Sequence, residues 1–402
     1  MNIFTLLKKY NQEHLIEIIE KMNHDKQEKI IDDIKKIDFE EINRLFLKLN
    51  EKNDTHDEIE PIEYIESKSI VGKFENKGKE IIKNNKYAVI TMAGGQGTRL
   101  GHNGPKGTYI LNINGKEKTI FEILSEKLVN AKKDYGVDIP WYIMTSSNND
   151  KTTRDFFAKN NDFGLNNVHF FTQMDIPVLD ENGKLLIGED FLIKKAGNGN
   201  GGIYNALKYN GVLEEMRENG IEWVFISNVD NILVNMVDPL FLGLNYMEGT
   251  EIASKSIFKN QANEKLGIFC KRNGKNGIIE YTETSEKMKS LKDENGKFVY
   301  GQGNISEHLF SLNALNKLKD VNLKYHIAHK RNVYLNEKME LVIPDKLNTY
   351  KFEQFIFDGF EKFENMTLMC VEREKEFAPI KNAIGTDSPE TAIALYVNAN
   401  KL

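Results

Sequence analysis

Two cysteines in 402 residues, Cys270 and Cys370, are too few and too far apart for a disulfide framework or a Cys-x-x-Cys metal site. Each sits in an apolar run, Gly267-Ile268-Phe269-Cys270 and Leu368-Met369-Cys370-Val371, which reads as two buried thiols in a reducing compartment. A basic surplus is missing as well: Lys plus Arg number 54 against 60 for Asp plus Glu, a formal charge of −6. That balance excludes a general nucleic-acid binder and leaves room for small anionic ligands held by a few local cations. No apolar stretch is long enough to span a membrane, and Met1 to Tyr10 lack a signal-peptide core. Cytoplasm is the expected location, with no membrane partner. The eight histidines show no metal-ligand spacing; His326 and His329 lack a nearby carboxylate or cysteine in register, and His102 falls in a loop. Neither a Gly-x-Ser-x-Gly elbow nor a His-Asp-Ser order supports a nucleophilic hydrolase. Internal repeats and low-complexity tracts are absent too.

What is present is a chain that can bury a core, 40% hydrophobic and 28% charged, long enough for one large α/β domain with appendages or for two to three domains. Leu15, Ile16, Ile18, Ile19 and Met22 fall at helical spacing. Ile30, Ile34 and Ile37 continue the pattern, as do Ile42, Leu45, Phe46 and Leu49, so about three short amphipathic helices are expected at the start. Glu51 to Glu60, acidic and Asn-rich before Pro61, reads as a linker. From Tyr87 the pattern changes. Tyr87 to Met92, Pro140 to Thr145, Val168 to Phe171 and Trp223 to Ser227 read as strands. Helices are expected over Thr119 to Ala131, from Asn149 or Asp150 to Lys159, and over Leu207 to Glu218. This alternation predicts an α/β fold with a mainly parallel sheet covered on both faces, whose ligands collect at the carboxyl ends of the strands. Shorter β-like runs with Asn273-Gly274 and Asn276-Gly277 turns, between Glu251 and Tyr281, suggest a small antiparallel excursion.

Three motifs sit at such strand ends. Met92-Ala93-Gly94-Gly95-Gln96-Gly97-Thr98-Arg99-Leu100-Gly101, followed by Gly104-Pro105-Lys106-Gly107, puts glycines directly after a strand, where missing Cβ atoms let backbone N–H groups approach phosphates and a base. Arg99 and Lys106 add positive charge. The loop is neither a Walker P-loop nor the Gly-x-Gly-x-x-Gly of dinucleotide folds. Gly197-Asn198-Gly199-Asn200-Gly201-Gly202 opens a helix and suits close backbone contact with a ligand, although taken alone it fits ordinary loop material better. Ser227-Asn228-Val229-Asp230-Asn231 places a carboxylate at the end of the Trp223 strand, able either to hold magnesium with substrate phosphates or to cap a turn.

Gly94-Gly95-x-Gly97-Thr98-Arg99-Leu100-Gly101 with Pro105-Lys106 resembles the signature of the sugar-nucleotide pyrophosphorylases, and more closely that of the UDP-N-acetylhexosamine pyrophosphorylases. The resemblance covers almost the whole chain, including Gln12-Glu13-His14-Leu15, Phe39-Glu40-Glu41-Ile42-Asn43, Trp141 to Ser146, and Arg373-Glu374-Lys375-Glu376-Phe377-Ala378-Pro379-Ile380-Lys381-Asn382. It implies a Rossmann-like, mainly parallel nucleotidyltransferase sheet of GT-A type. A helical region over 1–75, a catalytic domain over 76–345 and a carboxyl-terminal segment over 346–402 serving the sugar and phosphate site would follow. On this resemblance Met92, Ala93, Gly94, Gly95, Gln173 and Gly199 would bind UTP, and Arg99, Lys106 and Lys381 would handle the phosphates. Asp230 would hold Mg2+. Asn200, Gly267, Glu280, Asn304, Phe355 and Phe357 would line the sugar site, with Glu283 an alternative to Glu280. Read from the residues alone, Phe355 and Phe357 are as readily plain core, Gln173 and Lys381 solvated side chains, and Glu374 and Glu376 a charge run facing solvent.

Glucose-type relatives tend to carry Gly-His-Gly-Asp where this chain has Gly199-Asn200-Gly201-Gly202, which favours a hexosamine. Ser306-Glu307-His308 departs from a more neutral family segment beside Asn304 and bears on sugar choice. The chain stops at Leu402, before the carboxyl-terminal β-rich domain of eukaryotic members, so no oligomeric state carries over. The implied activity is uridylyl transfer from UTP to an N-acetylhexosamine 1-phosphate, releasing pyrophosphate. Alternatives are a UDP-glucose or broad UDP-sugar enzyme, a thymidylyl or guanylyl transferase, and a silent nucleotide-sensing protein.

Overall fold

The computed structural model describes residues 2–49, 57–70 and 72–401. It divides into two compact units, one built from 1–56, 174–202 and 323–355, the other from 57–173, 203–322 and 356–402. This grouping by contact cuts the chain differently from the consecutive segments 1–75, 76–345 and 346–402.

The first unit opens with four helices, Ile3–Lys9, His14–Lys21, His24–Ile34 and Phe39–Lys48, one more than the apolar spacing suggested. Asn2, Asn23 and Asp38 cap three of them by accepting from the first-turn backbone, which satisfies donors that a helix start leaves bare. Their apolar faces, among them Leu15, Ile18, Ile30 and Leu45, close over Leu179, Leu185, Ile187 and Phe352. Three strands of this unit, His326–Lys330, Thr349–Glu353 and Leu179–Asp180, pair in that order.

The second unit is the expected α/β sheet, mixed and mainly parallel. The path runs Ile65–Glu66, Thr367–Cys370, Ile252–Phe258, Gln302–Ser311, Trp223–Asn228, Tyr87–Met92, Trp141–Thr145, Val168–Thr172. Only Gln302–Ser311 runs against both its neighbours. Strands Tyr87–Met92 and Trp141–Thr145 are buried at every residue, as parallel strands covered on both faces must be. Phe121, Trp141, Phe157 and Phe225 fill the core. The helix Ile120–Tyr135 begins at a Thr119/Glu122 capping box and ends at Gly136 in the left-handed region. Helices Gly72–Lys83 and Pro239–Glu248 pack through glycine, since a Cβ on Gly78 would fall 1.8 Å from Pro239 O.

Several expectations change. Leu207 to Glu218 is two helices, Ile203–Tyr209 and Val212–Glu218, parted at Gly211, whose φ is +71°. The antiparallel excursion is the hairpin Ile268–Arg272 with Lys275–Ile279. Of the expected linker, 51–56 lie outside the described residues; Ile59–Pro61 is instead a strand on that hairpin. Its pairing partner lies some 200 residues on, so no local pattern could announce it. Both cysteines are free and buried, and burial pushes the Cys270 thiol up to about 11. Among the described residues no helix is long and apolar enough to cross a membrane.

Candidate active site

Four parallel strands of the second unit end together. Their registers place Asn228 beside Met92, Met92 beside Met144 and Thr145 beside Thr172. The ladder runs one residue further, with Ala93 N–H donating to Met144 O (2.7 Å), Val229 N–H to Met92 O (3.1 Å) and Gln173 N–H to Thr145 O (2.9 Å). Each chain then turns, which brings Ala93-Gly94-Gly95, Ser146, Gln173 and Asp230 to one edge.

The glycine turn is braced from behind. Asn149 Nδ2 donates to Ala93 O (2.9 Å) and Gly95 O (3.4 Å), and Ser146 Oγ donates to Gly94 O (2.9 Å). Lys106 N–H reaches Gly95 O (3.1 Å). Asn149 stands, as expected, at the start of a helix, the N-cap of Asp150–Lys159, but it makes no side-chain cap bond; its Nδ2 serves the glycine turn and its Oδ1 accepts from Ser146 N–H (2.8 Å). The Met92 side chain is buried core. A Cβ on Gly94 would sit 2.9 Å from Gln173 Nε2, while nothing lies within 4 Å of one on Gly95. The turn therefore carries Gln173 against Gly94 and keeps open space beside Gly95. Arg99 is exposed on a short 3₁₀ turn, Thr98–Leu100.

Lys106 Nζ lies 3.1 Å from Asp230 Oδ2, the two side chains 15% and 19% exposed. Burial alone would push the Asp230 carboxyl up, but the Lys106 and Lys381 ammoniums outweigh it and hold it below the ordinary value, so Asp230 is an anion. Ile380 N–H donates to Asp230 O (2.9 Å), Lys381 N–H to Asp387 O (2.6 Å), and Lys381 Nζ stands 4.0 Å from Asp387 Oδ2. Burial raises the Asp387 carboxyl, Lys381 offsetting part of the rise. Asp387, absent from the expected residues, thus joins two cations and one carboxylate already foreseen.

Gly267, Asn304 and Glu280 also come together in this unit. Asn304 N–H donates to Gly267 O (2.8 Å), and a Cβ on Gly267 would meet Glu280 Oε1 at 3.0 Å. Glu283 turns its carboxylate to the Glu280 N–H (3.2 Å), so the two glutamates have different surroundings. Phe357 is 6% exposed on the 3₁₀ helix Ile356–Lys362. In the first unit, Gly199 has φ +87°, and a Cβ there would collide with Gln354 O at 2.3 Å. Gly201 N–H donates to Gln354 O (2.9 Å) and Gln354 N–H to Asn198 O (2.7 Å), which laces the loop carrying Asn200 to the segment carrying Phe355. The Phe355 ring lies 4.4 Å from that of His326.

One expectation is overturned. Glu376 does not face solvent: its Oε2 is 2.8 Å from the fully buried Lys255 Nζ. Lys255 also meets Asp238 (2.8 Å) and Glu307 (3.6 Å). No sequence pattern marks this cluster, because its members come from four distant segments.

A glycine turn, lysines and an anionic carboxylate gather at the carboxyl ends of parallel strands, the place where ligands of open α/β sheets bind. The chain belongs to the UTP–glucose-1-phosphate uridylyltransferase family, whose sequence profile matches residues 36–388. It is 38% identical over 368 residues to the UDP-N-acetylglucosamine pyrophosphorylase of Saccharomyces cerevisiae, covering 87% of this chain and 77% of the relative. Identity to UDP-N-acetylglucosamine diphosphorylase 1 of Arabidopsis thaliana is 33%, covering 97% and 81%. Among solved structures, the inhibitor complex of the Trypanosoma brucei uridine diphosphate N-acetylglucosamine pyrophosphorylase superposes with a TM-score of 0.80 at 28% identity, covering 99% of this chain and 85% of that one.

Proposed function

We propose that the chain transfers the uridylyl group of UTP to N-acetylglucosamine 1-phosphate, forming UDP-N-acetylglucosamine and pyrophosphate. The observation that carries this reading is the Lys106–Asp230 pair at the strand tips beside a glycine turn, in a chain whose relatives are named for that product. An oxygen of the sugar phosphate attacks the α-phosphorus of UTP in line. The bond from that phosphorus to the bridging oxygen breaks, and pyrophosphate leaves with the electron pair. The nucleophile is already an anion, so no general base is needed. The protein must instead hold two anions together and offset their repulsion.

Gly94 and Gly95 admit the nucleotide to the backbone, Gln173 reads its base, and Arg99, Lys106 and Lys381 oppose the phosphate charge. Gly267, Glu280 and Asn304 face the sugar. Among the described residues no group of three or more His, Cys, Asp or Glu side chains is arranged to hold a metal. The anionic Asp230 still fits magnesium, which commonly takes one or two protein carboxylates and completes its shell with substrate phosphates and water. When bound there, the ion supplies positive charge to the reacting phosphates. Two buried free thiols support a reducing, cytoplasmic setting.

Pyrophosphate release from UTP with a panel of sugar 1-phosphates tests the proposal. N-acetylglucosamine 1-phosphate should exceed glucose 1-phosphate in kcat/KM by about tenfold or more, the scale on which a pocket discriminates by one substituent. A preference for glucose or galactose would move the chain to the broad UDP-sugar class. No release with any acceptor would remove the enzymatic reading.

A further inference from the structure

Asn231 has no part in the chemistry above, yet its amide is used to capacity. Nδ2 donates to Glu307 Oε1 (2.9 Å) and to Glu376 O (2.6 Å), and Oδ1 accepts from Ala378 N–H (2.8 Å) and Leu233 N–H (3.2 Å). Two donors and two lone pairs are all a carboxamide offers. The residue is 3% exposed, and three of the four bonds are buried, where leaving a partner unmade is costly. Around it the segments 230–232 and 378–380 run side by side. Ile380 N–H donates to Asp230 O (2.9 Å), Ile232 N–H to Ala378 O (3.3 Å), and Asn231 stands opposite Pro379. These two bonds flank Asn231 and Pro379, which form a non-hydrogen-bonded pair and exchange no backbone bond themselves. The Asn231 side chain instead grips the backbone on either side of Phe377.

We propose that Asn231 is a positioning residue that fixes the segment carrying Lys381 against Asp230, anchored from behind by the buried Lys255 cluster. Glu307 links the two parts. Its Oε1 receives the Asn231 amide, and its Oε2 lies 3.6 Å from Lys255 Nζ with no hydrogen-bond partner. Lys255 also holds Glu376 and Asp238, and Asp238 caps the helix Pro239–Glu248. One ammonium thereby ties a strand, a helix start and the chain leading to Lys381 into one frame. The inference rests on Lys381 acting on the phosphates.

A double-mutant cycle separates positioning from general support. Asn231→Ala should lower kcat by roughly 10- to 100-fold, the scale of a displacement near 1 Å at a reacting centre, while KM for the sugar phosphate stays within about threefold. In a Lys381→Ala background the same change should cost less than about threefold, since the group it positions is gone. Asn276→Ala is the control. Asn276 is 2% exposed and ties down Phe363 O (2.8 Å) and Glu364 O (3.3 Å), so it should lower stability with little effect on kcat in either background. If Asn231→Ala does not fold, Asn231→Asp retains the acceptor for Ala378 N–H, loses both donors and supplies the same measurement. An undiminished loss in the Lys381→Ala background overturns the inference. If Lys381→Ala alone turns over at the normal rate, the assignment of Lys381 fails first and the inference with it.

Discussion

The second unit sets lysine against carboxylate twice, with opposite results. At the strand tips Lys106 pairs with Asp230 and Lys381 stands near Asp387, all four side chains partly open to solvent. Inside the sheet a single ammonium, that of Lys255, lies wholly buried among Asp238, Glu307 and Glu376. The Asp230 carboxyl is held below its ordinary value by its two lysines, whereas burial pushes those of Glu307 and Glu376 above theirs, Lys255 offsetting only part of the rise. Nearby, burial takes the Lys127 ammonium down to about 8 and the His308 imidazole to about 3. The tip lysines can exchange a carboxylate for an incoming phosphate because water reaches them and helps balance charge during the exchange. The inner lysine cannot leave its carboxylates without stranding charge in the core. On the proposed function, identical residue types make a working site in one place and a frame in the other, and exposure is what separates them.

The widest break in that comparison is expected from Lys106→Ala. Removing one electrostatic stabiliser should cut turnover by roughly two orders of magnitude or more. The unfolding free energy should change by only about 1 kcal/mol, because the orphaned Asp230 can take up water. Steady-state pyrophosphate release and urea unfolding measure the two sides. Near-normal turnover would refute the role of Lys106.

The inner lysine should show the reverse balance. Lys255→Met leaves three carboxyls without their cation, and loss of one partner from a buried ionic group costs about 3–5 kcal/mol. The Glu307 and Glu376 carboxyls, already raised by burial, would have folded-state pKa values raised further above those of the unfolded chain. Their protonation then supports the fold below the unfolded pKa and is lost as pH rises through the folded values. The variant should accordingly fall further below the parent protein at pH 8 than at pH 5 in urea unfolding. Equal loss at both would mean that the carboxyls are not where the destabilisation arises.

The sequence was most legible at the strand tips. Glycines after a run of apolar β-formers, a Pro-Lys pair and an Asp after the Trp223 strand are local signals, and local signals survive without coordinates. The four parallel strands were equally readable, because burial on both faces leaves uninterrupted apolar runs such as Tyr87–Met92. The frame was not readable. Lys255 sits in an unremarkable strand, Glu376 in a run of charges that looks solvated, and Asn231 beside the more conspicuous Asp230. Each acquires its role from partners on other segments, as with the 76-residue separation of Asn231 and Glu307 and the 121-residue separation of Lys255 and Glu376. Asn149 does start the expected helix, but its bracing role was hidden for the same reason, since the carbonyls its amide braces are more than 50 residues back.

A finer distinction between the two groups lies in a change that keeps shape and removes one ionisation. In Glu307→Gln the carboxamide oxygen can still accept from Asn231, so the contact that orders the tip survives. What disappears is a carboxyl whose pKa burial raises on folding. Such a group stabilises the fold fully below its unfolded pKa, and that contribution is lost as pH rises through the folded value. Relative to the parent, the glutamine variant should therefore gain stability as pH rises from about 4.5. The gain should have a slope of up to about 1.4 kcal/mol per pH unit while the folded carboxyl keeps its proton. Asp230, with its pKa lowered, gives the opposite sign: its contribution is present above the unfolded value and is lost as pH falls through the folded one. Urea unfolding of Glu307→Gln and Asp230→Asn from about pH 2 to 8 should thus yield difference curves that tilt in opposite directions, the first above about pH 4.5 and the second below about pH 4. Parallel curves would show that the tip and the core hold their carboxylates in the same way.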